Sequence, residues 1–131
     1  VKVTTSTRGR IFRINGIDQL APPENGEIHF FGVRVREEAG ATNTLPLLVS
    51  LIRNSLASDT DSLDRFETLL LNAGYSSVHD QEYGKLTLRI VEEKLFAVAG
   101  DFPRLTPASF GGRVPVGVER IEYEINLNGL A

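Results

Sequence analysis

Hydrophobic and polar residues alternate with a period of two at both ends of the chain and recur with a helical period in the middle. The opening run VKVTTS predicts a strand with Lys2 and Thr4 on one face and Val1 and Val3 on the other. Further strands are predicted at residues 11–14, 27–37 and 119–127, and a hairpin with a turn at residues 92–94 is predicted within 85–98.

Two helices are predicted between the strands. Asn43 or Thr44 can cap a helix over residues 45–56, in which leucine, valine and isoleucine recur at spacings of three and four. A second helix is predicted between Asp59, at its capped start, and Gly74, at its end. Both apolar stripes are expected to face a core, and the short loop between the helices predicts that they pack together.

The order of strands, two helices and strands predicts an α+β fold with a mixed sheet and a packed pair of helices in the middle of the chain. The 131 residues, 41% of them hydrophobic, suffice for one domain with a core. Because the sequence starts at valine in mid-strand, we expect it to be a fragment of a longer protein. The expected parts of the single domain 1–131 are residues 1–37, 43–74 and 85–127.

Composition excludes several classes of function. The chain has no cysteine, which rules out disulfides, thiolate metal sites and a cysteine nucleophile. There is no run of about 18 apolar residues and no apolar signal-peptide core, so we expect a cytoplasmic protein without a membrane span. No nucleophile elbow, phosphate-cradling glycine loop or dinucleotide motif is present.

Basic charge is concentrated at one end of an acidic chain. Residues 1–20 carry a net charge of +3, from Lys2, Arg8, Arg10 and Arg13 against one acid, whereas the remainder carries −6. Arginine binds phosphate through two parallel hydrogen bonds, so this cluster predicts contacts to a phosphate backbone. The alternatives are an exposed turn for the arginines and a solvated side chain for Lys2. Aromatic residues are sparse there, which favours duplex over single-stranded nucleic acid.

A resemblance adds to this interpretation. The run VKVTTSTRGRIFRINGIDQL resembles the segment that begins inside the acidic-x-Lys half of a PD-(D/E)XK nuclease motif. The whole chain, through DFPRLTPASF and GVERIEYEINL, is similar to the C-terminal part of a bacterial PD-(D/E)XK-motif family found in restriction and phage-defence gene clusters.

The resemblance implies a metal-dependent DNA endonuclease. It makes Lys2 the catalytic lysine and places Gln19 near a Mg²⁺ ion. That ion would be held by acids preceding Val1 and completed by the Val1 backbone carbonyl. Double-stranded DNA would contact Thr4 and the three arginines, Arg8, Arg10 and Arg13. The alternative is a non-catalytic adaptor within a multi-protein defence complex, and a third possibility is a regulatory domain without a nucleic-acid role.

Overall fold

The computed structural model describes residues 1–131 and confirms the α+β class. No helix in it is both long enough and apolar enough to cross a membrane. Loops and short 3-10 helices connect five strands and three α-helices. The strands are β1 (Lys2–Thr4), β2 (Ile11–Asn15), β3 (His29–Glu37), β4 (Leu88–Ala97) and β5 (Glu122–Asn126), and the helices are α1 (Leu45–Leu56), α2 (Thr60–Asn72) and α3 (Asp80–Tyr83).

The first sheet has three strands in the order β1-β3-β4, so β3 is the central strand, as predicted. Strand β1 runs parallel to β3, with Lys2 opposite Gly32 and Thr4 opposite Arg34. Paired residues point to the same face of a sheet. The face of β1 that carries Lys2 and Thr4 is therefore the face on which the Arg34 side chain lies.

The second sheet is the antiparallel pair of β2 and β5. Its inner side chains, among them Phe12, are almost fully buried, and the Phe12 ring packs edge-on against Phe30 with their centroids 5.1 Å apart. A Cβ atom at Gly32 would lie 2.7 Å from this ring, so the central strand needs a glycine there. The core consists of Phe12, Ile14, Leu20, Phe30, Phe96, Val98, Phe102, Ile125 and Leu127.

The chain divides into two compact units. One contains residues 1–36 and 90–131, and the other contains residues 37–89. Inside the second unit, α1 and α2 pack together as predicted, and the Arg53 guanidinium donates two hydrogen bonds of 2.6 and 2.9 Å to the Glu67 carboxylate. The single-domain assignment stays a prediction.

The helices begin where the sequence predicts, but they are less buried than expected. Thr44 accepts a hydrogen bond from the backbone of Leu47 and caps α1. The expectation that both stripes are buried is wrong, because Val49 is the one buried residue of α1 and α2 has none. Helix α1 carries apolar side chains around more of its circumference than its neighbours cover.

The predicted hairpin at residues 92–94 is also wrong, because β4 runs without a break through these charged residues. Glu92 forms ion pairs with Arg10 and Arg34. The Lys94 amine lies 5.2 Å from the centroid of the Phe96 ring. The run of charged residues 92–94 is typical of a turn, but in the structure Glu92 and Lys94 have partners far away in the sequence, so the strand continues through them.

Candidate nucleic-acid interface

Strand β1 presents its polar residues on the more protected face. Lys2 and Thr4 are half-buried, whereas Val1 and Val3 on the opposite face are 86% and 62% exposed. Lys2 forms no hydrogen bond and no ion pair, so its ammonium group is uncommitted. A half-buried lysine without a partner is available to bind an anion.

The hydroxyl groups of Thr4, at the end of β1, and Ser6, between β1 and Arg8 in the sequence, accept hydrogen bonds from the backbone. The Thr4 hydroxyl accepts a hydrogen bond of 3.2 Å from the backbone N–H of Ser6, and the Ser6 hydroxyl accepts one of 3.2 Å from the backbone N–H of Arg8. Both hydroxyls act as acceptors here, so their own hydrogen atoms remain available for donation. Thr4 and Ser6 can therefore still donate to phosphate oxygens.

The Asn128 side chain holds the turn that follows. Its Oδ1 accepts a hydrogen bond of 2.9 Å from the Arg10 backbone, and its Nδ2 donates one of 3.0 Å to the Arg8 carbonyl. Gly9, between them, has a φ of +101°, a conformation that favours glycine. The position of the Arg8 backbone is thus fixed by a residue near the other end of the chain.

An open cleft of about 540 Å³ brings several of the predicted residues together. Thr4, Arg8 and Arg13 all line it. Pairing of β2 with β5 places Glu124 opposite Arg13, which adds one carboxylate to this surface. The complete lining is Val3, Thr4, Thr5, Ser6, Thr7, Arg8, Ile11, Arg13 and Glu124.

The two arginines of the cleft are accessible to a ligand. Arg8 Nη2 lies 3.4 Å from Glu124 Oε2, and both side chains are more than half exposed. Exposed pairs of this kind contribute little, about 0–1 kcal/mol, so a phosphate can replace the carboxylate. Arg13 is exposed and has no hydrogen-bond or ion-pair partner. The cleft therefore has more cationic than anionic groups.

Arg10 is placed differently from the other two predicted arginines. Its Nε lies 3.3 Å from Glu92, its Nη1 donates a hydrogen bond of 3.0 Å to the Leu130 carbonyl, and its guanidinium lies 5.9 Å from the Phe96 ring centroid. It does not line the cleft. In this structure the Arg10 guanidinium is bound by groups of the protein itself.

Three predicted site residues, Lys2, Gln19 and Val1, lie outside the cleft. Gln19 is on the 3-10 helix Ile17–Leu20, and its Oε1 accepts a hydrogen bond of 3.3 Å from the Asn15 backbone. No three His, Asp or Glu side chains come close enough together to hold a metal ion. The one carboxylate of the cleft, Glu124, is paired with Arg8. The residues present do not by themselves fit a metal site.

Sequence reasoning missed Glu124 and Asn128 as members of this region. Both reach it through the antiparallel register of β5 on β2, which pairs residues more than 100 positions apart. The alternation in 119–127 predicts a strand there, but no local signal gives its partner or register.

Comparison with known families identifies one match. A family model described as "Putative PD-(D/E)XK family member, (DUF4420)" matches residues 1–128. This match confirms the resemblance to the PD-(D/E)XK family and covers almost the whole chain. No curated protein and no solved structure matches. PD-(D/E)XK proteins form a nuclease-like superfamily whose members typically depend on divalent metals.

Proposed function

This chain belongs to the PD-(D/E)XK-like family that matches residues 1–128, and on that premise we propose that it is the DNA-contacting part of a metal-dependent endonuclease of restriction or phage-defence type. The observation that carries the proposal is the open cleft lined by Thr4, Arg8 and Arg13. Strand β1, which contributes Thr4 to the cleft, also presents Lys2 without a partner, outside the cleft lining. These groups suit the charge and the acceptor atoms of a phosphodiester.

Each group has a distinct role in the proposal. Arg8 and Arg13 bind backbone phosphates of double-stranded DNA through paired N–H donors. The Thr4 hydroxyl donates a further hydrogen bond. Lys2 acts as the catalytic residue, because its ammonium group stabilises the negative charge that develops on the phosphate during hydrolysis. Arg10, bound to Glu92, supports the turn and contacts DNA only if Glu92 releases it.

Mg²⁺ is the cation we propose, since it would polarise the phosphodiester and activate water when bound. Carboxylates outside this chain would have to hold it, because the acids of the chain form no metal cluster. The Val1 carbonyl and Gln19 are the groups of this chain that we propose to face it. The chain's own contribution is to bind and orient the substrate.

A comparison of two lysine variants tests the proposal in the gene product that carries this chain. We expect Lys2→Ala to abolish Mg²⁺-dependent hydrolysis of duplex DNA while binding changes by less than about threefold. Lys85→Ala removes the same charge from an exposed site where Lys85 pairs only with Glu82. It should leave hydrolysis unchanged. Hydrolysis that survives Lys2→Ala, or that needs no divalent metal, would overturn the catalytic role.

A second candidate, an adaptor without catalysis, is favoured by a different observation. The uncovered apolar side chains of α1 form one continuous arc of about 160° around the helix. Arg53, the one charged residue of α1, points away from this arc to Glu67. Soluble proteins rarely leave such a surface open unless it binds a partner. The arc consists of Leu45, Leu47, Leu48, Leu51 and Ile52, which are 39–55% exposed.

The occupant that fits this arc is an apolar helix flanked by lysine or arginine. The unit 37–89 contains eight acidic residues and four Lys or Arg, so its field attracts a basic partner. A synthetic Leu/Lys amphipathic helix should bind the protein, measured by fluorescence anisotropy, and Leu51→Ser should weaken binding at least fivefold. Leu71→Ser, on the exposed side of α2, is the control. Equal binding of a Leu/Glu helix, or self-association detected by sedimentation, would overturn this occupant.

A further inference from the structure

One carboxylate, Glu92, is shared by two arginines. Its Oε1 lies 3.3 Å from Nε of Arg10, and its Oε2 lies 3.0 Å from Nη1 of Arg34. Between a fifth and a third of each side chain is exposed. Both carboxylate oxygens are used, yet one positive charge of the pair of guanidiniums remains uncompensated.

Two further observations increase the imbalance. Nε of Arg34 is buried and has no hydrogen-bond partner. Lys94, two residues after Glu92 and so on the same face of β4, donates to the Leu130 carbonyl rather than to a carboxylate. The cluster thus contains three cations, one anion and one unsatisfied N–H donor. A buried donor without a partner destabilises the protein, and an added acceptor would remove that cost.

One member of the cluster, Arg34, is the strand neighbour of a residue that lines the cleft. Arg34 pairs with Thr4 across β1 and β3, and neighbouring strands are about 4.8 Å apart. Thr4 lines the cleft, and the Arg34 side chain lies on the same face of the sheet as the Thr4 side chain. A phosphodiester bound by Thr4 would therefore lie close to the strand position of Arg34.

We propose that Arg34 is a second phosphate-binding residue and that Glu92 is its internal counter-ion, which is replaced by a nucleic-acid phosphate on binding. This inference rests on the proposed function, and it adds a residue that tunes affinity. Arginine has five N–H donors, so Arg34 can offer to a phosphate oxygen the Nη1 that Glu92 vacates, and the released guanidinium can turn its Nε towards a second oxygen. Glu92 holds the guanidinium extended until the phosphate arrives, and it lowers affinity for weaker anions.

A charge-matched pair of variants tests the role of Glu92. Glu93, the next residue of β4, is exposed, has no hydrogen-bond or ion-pair partner and points to the opposite face. Glu92→Gln and Glu93→Gln change the net charge equally, but only the first frees Arg34. We expect Glu92→Gln to raise affinity for duplex DNA at least threefold over Glu93→Gln and to steepen the dependence of log K on log salt by about one unit.

Arg34 must be required for that gain. Arg34→Gln should lower DNA affinity, and adding Glu92→Gln to it should restore less than half of the gain. Circular dichroism at the assay temperature verifies that each variant is folded. Equal affinities of the two glutamate variants, or a full gain without Arg34, would overturn the inference.

Inorganic phosphate separates this inference from the proposed function. We expect phosphate to raise the Tm of the wild-type protein and to raise that of Arg34→Gln by less than half as much. If phosphate acts through Arg34 but duplex DNA does not bind, the anion site stands and the nuclease proposal falls. If DNA binds normally to Arg34→Gln and phosphate stabilises it as well as the wild type, the nuclease proposal stands and the role of Arg34 falls.

Discussion

A Cβ atom added to Gly9 would overlap with Oδ1 of Asn128. The close approach exists because that oxygen accepts a hydrogen bond from the residue after Gly9. The turn therefore depends on glycine for two reasons, its positive φ and the space it leaves for the asparagine. Because this turn carries Arg8 into the cleft, the geometry of the interface depends on a contact between the two ends of the chain.

Gly9→Ala should destabilise the protein more than the same change at Gly129. Both glycines have a positive φ, but an alanine at Gly129 would meet nothing within 4 Å. The conformational cost of about 1–2 kcal/mol is common to both, whereas the clash at Gly9 adds about 1–3 kcal/mol. Urea denaturation measures the free energy of unfolding of each variant. Equal losses of the free energy of unfolding in Gly9→Ala and Gly129→Ala would mean that Asn128 moves aside without cost.

Phe12→Ala should be among the most damaging substitutions in the core. Its ring is 1% exposed, packs on Phe30 and fills the space above Gly32. Removing a buried phenylalanine typically costs about 3–5 kcal/mol. Val116, which is 93% exposed, supplies the control, and Val116→Ala should change the free energy of unfolding by less than about 0.5 kcal/mol. A loss at Phe12 below about 1 kcal/mol would show that this core collapses around the cavity.

Local signals predicted the elements that depend on local physics. The bounds of α1 and its Thr44 cap follow from side-chain spacing and from one hydrogen bond across three residues. The turn predicted at residues 92–94 was wrong because the cations that pair with the Glu92 carboxylate, Arg10 and Arg34, are more than 50 residues away. The open face of α1 was missed for a related reason, since apolar spacing indicates a face suited to burial but does not show what covers it.

The sequence predicted only part of the candidate site. Charge clustering indicated Arg8 and Arg13, which the structure brings into one cleft with Thr4. The same clustering could not distinguish Arg10, whose guanidinium is bound by Glu92 and the Leu130 carbonyl. Composition gives the number of arginines, but the register of distant strands determines which of them has a free guanidinium.

The Arg53–Glu67 pair should make the stability of the helical unit depend on acid pH. The hydrogen bond from Arg53 lowers the pKa of Glu67 below its usual value. A carboxyl whose pKa is lower in the folded state stabilises that state above its unfolded pKa and loses this contribution as pH falls through the folded pKa. The difference in Tm between wild type and Glu67→Gln should therefore shrink between about pH 6 and pH 3.

Asp64→Asn provides the control for this pH dependence, because it removes the same charge from the same helix at an exposed position. Its Tm difference from wild type should stay nearly constant over the same pH range. Thermal melts followed by far-UV circular dichroism provide the measurement. A constant difference for Glu67→Gln would show that the ion pair contributes nothing to folding.

Arg13→Gln should weaken binding of duplex DNA and should make the binding less dependent on salt concentration. Arg13 lines the cleft and has no partner within the protein, so its whole charge is available to a phosphate. Each neutralised phosphate contributes about −0.9 to the slope of log K against log salt, so the variant should lose about one unit of slope. Arg113, exposed in the loop before Val114, is the matched control, because Arg113→Gln makes the same change of net charge outside the cleft. Fluorescence anisotropy at several salt concentrations measures both variants, and equal slopes for them would place the DNA contact elsewhere on the protein.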